Sequence, residues 1–116
     1  MAICRAAPLV LCLLVSACAT PQEAREKGPA ASYASAKSAR DVSACIASAW
    51  ESGYGLTSPV NVRPTAGGYT LLVSASGNTM VVLDVDDVQS GGSTSKYYKG
   101  NVLLEGKWDK AVQSCQ

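Results

Sequence analysis

Three consecutive pieces decide the fold: Tyr69-Thr70-Leu71-Leu72-Val73-Ser74-Ala75, then Ser76-Gly77-Asn78-Thr79, then Val81-Val82-Leu83-Asp84-Val85-Asp86. In the first, Tyr69, Leu71, Val73 and Ala75 alternate with Thr70, Leu72 and Ser74, the two-residue period of a strand. The second has the composition of a tight hairpin turn. In the third, Val81, Leu83 and Val85 alternate with Val82, Asp84 and Asp86. The aspartates fall on the face opposite Leu83, so that face is partly wet. Two strands joined by a short turn pair antiparallel, and the short neighbouring connections extend the pattern to a meander.

Working outward, Pro59-Val60-Asn61-Val62-Arg63-Pro64 alternates and carries proline at both ends, which suits an edge strand. Ala66-Gly67-Gly68 turns the chain into the hairpin, and Gln89-Ser90-Gly91-Gly92-Ser93 leads out of it. Thr94 to Lys99 pairs as a further strand. Upstream, Val42, Cys45, Ile46, Ala49 and Trp50 recur at the spacing of one helical face. Asp41 or Ser38 caps that helix, and Gly53 and Gly55 stop it. Downstream, Leu104, Trp108, Ala111, Val112 and Cys115 return to helical spacing. The expected architecture is α+β: an N-terminal helix, an antiparallel sheet of three to four strands and a C-terminal helix, with both helices packed on one sheet face.

The N-terminus reads as a targeting signal, residues 1–17. Arg5 supplies the positive charge, and Leu9 to Val15 is an apolar run too short to span a bilayer, which takes roughly 20 residues. Val15-Ser16-Ala17-Cys18 resembles the lipobox of bacterial lipoproteins: an aliphatic residue, two small ones, then cysteine. The resemblance implies diacylglycerol on the Cys18 sulfur, cleavage before it and acylation of the new terminus. Ala19 in place of an aspartate implies transfer to the outer membrane. Residues 18–36, with Pro21, Gly28, Pro29 and mixed charges, read as a flexible tether holding the domain about 20–25 Å from the bilayer. Residues 37–116 form the folded domain.

The 116 residues include five cysteines. Cys4 and Cys12 leave with the signal and Cys18 takes the lipid. Cys45 and Cys115 remain, and an oxidising compartment predicts a disulfide between them; two buried thiols are the alternative. The staple matters because a domain this small has a marginal core.

Composition narrows function further. The chain has no histidine and a formal net charge of +1. Histidine-based triads and metal sites are thereby excluded, and no basic stripe marks a nucleic-acid surface. No cofactor or metal is expected. Ser93-Thr94-Ser95-Lys96 matches the S-x-x-K motif of penicillin-binding enzymes, but it leads into a strand without the helix start and companion motifs that chemistry needs. Asp84, Asp86 and Asp87 lack the register of a calcium loop. Tyr97 and Tyr98 place one ring inward and one outward on a strand. The outward ring, with Lys96 or Lys99, is the expected interaction surface. The chain resembles small lipoproteins of Gram-negative bacteria, through the lipobox and the helix-sheet-helix layout with a cysteine near each end.

The function expected is therefore that of a non-catalytic, lipid-anchored envelope protein with a protein-interaction or structural role. Its partners would be the membrane, through Cys18, and another envelope protein. An alternative is a surface or periplasmic inhibitor or exclusion factor: Leu72-Val73-Ser74-Ala75-Ser76-Gly77 resembles the Ser-Ala-Ser-Gly loop of membrane-bound lysozyme inhibitors. Thr79-Met80 replaces that family's basic-Tyr pair, and the family's fold is an all-β barrel. A small hydrolase using Ser and Lys is the third reading.

Overall fold

The two strands that meet at Gly77 are interior strands of the sheet. The computed structural model describes residues 20–53, 60–75, 77–100 and 106–116. Along them run α1 (Pro21–Glu26), β1 (Ala31–Ser35), α2 (Ala39–Gly53), β2 (Asn61–Pro64), β3 (Gly68–Ala75), β4 (Asn78–Asp87), β5 (Ser93–Lys99) and α3 (Lys107–Ser114). The segment expected as a targeting signal and Cys18 lie outside the described residues, as does Leu104 of the expected C-terminal helix.

The strands form one five-stranded antiparallel sheet in the order β1-β5-β4-β3-β2. β2 to β5 are the expected meander. Leu71 faces Leu83 and Tyr69 faces Val85 across β3 and β4. Val73 faces Val81 but Ser74 faces Thr79, so Met80 is an extra residue that bulges β4 next to the turn. Gly77 has φ +78°, a left-handed conformation that glycine adopts without steric cost.

α2 and α3 pack on one face of this sheet, as expected. Their apolar stripes meet the odd-numbered residues of β3 and β4: Val42, Ile46 and Trp50 from α2, and Trp108, Val112 and Cys115 from α3, against Leu71, Val73, Val81, Leu83 and Val85. Burial of each such side chain contributes roughly 1.5–3 kcal/mol. Trp50 and Trp108 meet edge to face with centroids 5.5 Å apart, and the Trp50 indole N–H donates to the Trp108 carbonyl oxygen at 3.2 Å. Two residues cap α2. Ser38 Oγ accepts from the Asp41 amide at 3.2 Å. Asp87 Oδ1, from the end of β4, accepts from the Ala39 amide at 2.8 Å and so pins the helix start to the sheet.

The disulfide Cys45–Cys115 joins α2 to the residue capping α3, across a sequence separation of 70. Its two ends differ from a shared apolar setting: Cys115 is buried and Cys45 sits at an exposed rim.

The structure corrects the sequence reading in two places, both within the segment expected as a tether. β1 is a fifth strand, paired with β5 from Ala31↔Tyr97 to Ser35↔Ser93. α1 is a third helix, and it lies on the sheet's other face. There Ala24 closes a small apolar cluster with Leu72, Val82 and Tyr98. The Ala-rich composition misled because the stabilising partners lie far along the chain. Tyr33 donates to Asp109 Oδ1 at 2.7 Å, and Ser35 Oγ donates to the Gln116 carbonyl at 3.0 Å. β1 thus ties α3 to the sheet edge.

Candidate functional site

The two sheet faces carry different chemistry, and antiparallel pairing sorts the residues between them. On the face away from α2 and α3, one row crosses the strands as Ser32, Lys96, Asp84, Thr70 and Arg63. Arg25 descends on this row from α1. Its Nε and Nη2 donate to the two Asp84 carboxylate oxygens, each at 2.9 Å. The Thr70 hydroxyl donates to Asp84 Oδ1 at 2.7 Å. This planar, two-point geometry is what a guanidinium offers a carboxylate. Burial alone would push the Asp84 carboxyl up. Hydrogen bonds from Arg25 and Thr70, with the charges of Arg25 and Lys96, outweigh it and hold the carboxyl below its ordinary value. Asp84 is therefore an anion with both carboxylate oxygens already accepting hydrogen bonds, and its pairing with Arg25 fastens α1 in place.

One tyrosine was expected to point inward and the other outward to a contact surface, and both are buried. Tyr97 points into the α2–α3 core, at 1% exposure. Tyr98 points the other way, as period two requires, but α1 covers it and leaves it 8% exposed. Lys96 and Lys99 are exposed and lie on opposite faces. The four residues therefore do not form one surface.

Ser93 and Lys96 are also parted by the strand. Ser93 faces the helices, where its hydroxyl donates to the Lys37 carbonyl at 2.9 Å, and Lys96 faces away. A lysine on the other side of a sheet cannot take that hydroxyl's proton. The three aspartates likewise separate: Asp84 holds Arg25, Asp87 caps α2, and Asp86 faces the α1 side. Among the described residues no three His, Cys, Asp or Glu gather as a metal site. No described helix is long and apolar enough to cross a membrane.

What the sequence reading missed is a depression of about 470 Å³ at one end of the sheet, between the β2–β3 turn and the β4–β5 loop. Pro64, Thr65 and Tyr69 line one side, and Asp87, Val88 and Gln89 the other. Both walls are held by their own backbone. Thr65 N–H donates to Gly68 O at 2.9 Å, Val88 N–H to Gly92 O at 3.1 Å, and Asp87 N–H ties the walls together at Gly67 O, 2.9 Å. Among the described residues the exposed large hydrophobics are Val62 and Val88, at 41% and 36%. Val88 lines the depression. Val62 lies two residues before Pro64 on the same strand face, where β2 runs out beyond the cover of the helices. Alternation in β2 could have pointed to it, since a valine between Asn61 and Arg63 on an edge strand has only half a neighbour to cover it.

Fold and staple together define a small, disulfide-linked α+β domain with a sheet covered on both faces. Comparison with known proteins gives no match: no family model fits the sequence, and no curated protein or solved structure resembles it significantly.

Proposed function

We propose that this chain is a lipid-anchored, non-catalytic protein of the bacterial cell envelope, held in the outer membrane through acyl groups on Cys18, and that it binds another envelope protein at the depression between the β2–β3 turn and the β4–β5 loop. The observation that carries the binding role is Val88, an exposed apolar side chain that lines the cleft, with Val62 exposed nearby on the same strand face as the lining residue Pro64. Exposed apolar edges on preformed walls are the ordinary makings of an interface centre. The disulfide supports an oxidising compartment. The separation of Ser93 from Lys96 supports binding over hydrolysis.

Two measurements test the proposal. Cells fed labelled palmitate should label the wild type and not Cys18→Ala; equal labelling refutes the anchor. A photo-crosslinking residue at position 88 should capture one discrete envelope protein that the same residue at position 110, on α3, does not. Identical capture at both positions refutes the cleft as the contact.

A further inference from the structure

We infer that the sheet face carrying α1 lies against the lipid bilayer, with the helices α2 and α3 and the cleft turned away from it. The inference rests on acylation of Cys18 and concerns what the fold does with that anchor. Ala19 and Thr20 alone separate Cys18 from Pro21, the first residue of α1. At about 3.3–3.6 Å per residue, a fully extended chain puts Cys18 within about 11 Å of that helix. The helix itself is fixed. Thr20 Oγ1 caps it by accepting from the Glu23 amide at 3.2 Å, Ala24 is 2% exposed beneath it, and Arg25 grips Asp84 at two points. Six residues at 1.5 Å each make it about 9 Å long, so the anchor emerges on the α1 side of the sheet. To bring α2 and α3 to the membrane instead, the leash would have to pass round the sheet and a helical layer about 10 Å thick, which it is too short to do.

The chemistry of the face agrees. α1 with its cap brings Glu23, Arg25, Glu26 and Lys27 to this side, the strands beneath add Arg63, Lys96, Asp84 and Asp86, so four basic and four acidic side chains balance, and Ser32 flanks them. Mixed signs and hydroxyls suit the zwitterionic headgroup layer. They give neither an apolar surface to insert nor a net positive field to attract anionic lipid.

The test uses the full acylated protein in phosphatidylethanolamine–phosphatidylcholine vesicles and a membrane-impermeant amine reagent. Lys96 and Lys110 are both exposed, one on each side of the molecule. Labelling of Lys96 should slow at least fivefold relative to a variant with about 20 Gly/Ser residues inserted between Ala19 and Thr20, a spacer that frees the domain. Lys110 should react alike in both, and the protection of Lys96 should persist at high salt. Equal Lys96 rates with and without the spacer overturn the orientation, and protection lost at high salt overturns the zwitterionic contact. Failure of the chain to float with vesicles overturns the acylation beneath it, a distinguishable result.

Discussion

Replacing Cys45 and Cys115 together by alanine should remove about 4 kcal/mol of stability, the loop-closure effect of a bridge across a separation of 70 residues. Alanine is the informative choice, because a serine at position 115, which is 1% exposed, would bury an unpaired hydroxyl and confuse two effects. For a domain of this size about 4 kcal/mol corresponds to a fall in Tm of roughly 15–30 °C. The loss should begin locally. α3 has eight residues, too few to hold together alone, and it keeps its place through Trp108, Val112 and the bridge. Its amides should therefore exchange with solvent before those of β3 and β4. The assay is urea and thermal unfolding followed by circular dichroism, with hydrogen exchange to locate the opening. Cys45 sits at the exposed rim, so wild type in reductant should behave as the double variant does. A loss below about 1 kcal/mol, or uniform exchange across α3 and the sheet, would refute the argument that this bridge holds a marginal core closed.

Four further outcomes concern other residues. Arg25→Ala should cost about 1–2 kcal/mol, the range for a charge-assisted hydrogen bond discounted for partial exposure, and should raise exchange in α1 while leaving α2 unchanged. Because the folded-state Asp84 carboxyl is held below its ordinary value, its contribution is present at neutral pH and above, and is lost as pH falls below about 4 through the folded value; Asp84→Asn should flatten that part of the acid unfolding curve. Gly92→Ala should destabilise by about 2 kcal/mol or more on the scale of backbone strain and overpacking: φ is +82°, and the added carbon would run into the Ser35 carbonyl oxygen. Tyr33→Phe should cost about 1 kcal/mol. The hydrogen bond to Asp109 raises the Tyr33 phenol, so its stabilisation holds below about pH 10 and fades as pH rises through the folded value, which alkaline unfolding of wild type and variant will compare.

The meander, α2, α3 and the bridge were legible because each is written in local pattern: alternation across Tyr69–Ala75 and Val81–Asp86, helical spacing from Val42 to Trp50, and two cysteines left after the others are assigned. β1 was not, since Ala31-Ser32-Tyr33-Ala34-Ser35 has little apolar contrast and gains its stability from β5 and α3. α1 had a readable signal that composition hid. Thr20-Pro21-Gln22-Glu23 is a capping sequence with proline at the first helical position, and the structure uses it as one. Its charged neighbours looked like a solvated linker until Arg25 met Asp84. The contact surface was misplaced for the same reason: Tyr98 does point away from the main core, but the segment that covers it was read as unstructured.

The strand order has a consequence for how the chain matures. β2, β3, β4 and β5 each pair with a neighbour in sequence, so they can zip together by closing short loops. β1 comes earliest in the chain but pairs with β5, the last strand, and must wait for a far larger loop to close. Wherever β1 and α1 are undocked, the outer rim of β5 offers unpaired backbone groups and the Tyr98 ring is bare. That bare edge is a template on which a neighbouring chain could add a strand of its own, and the docked N-terminal segment closes it.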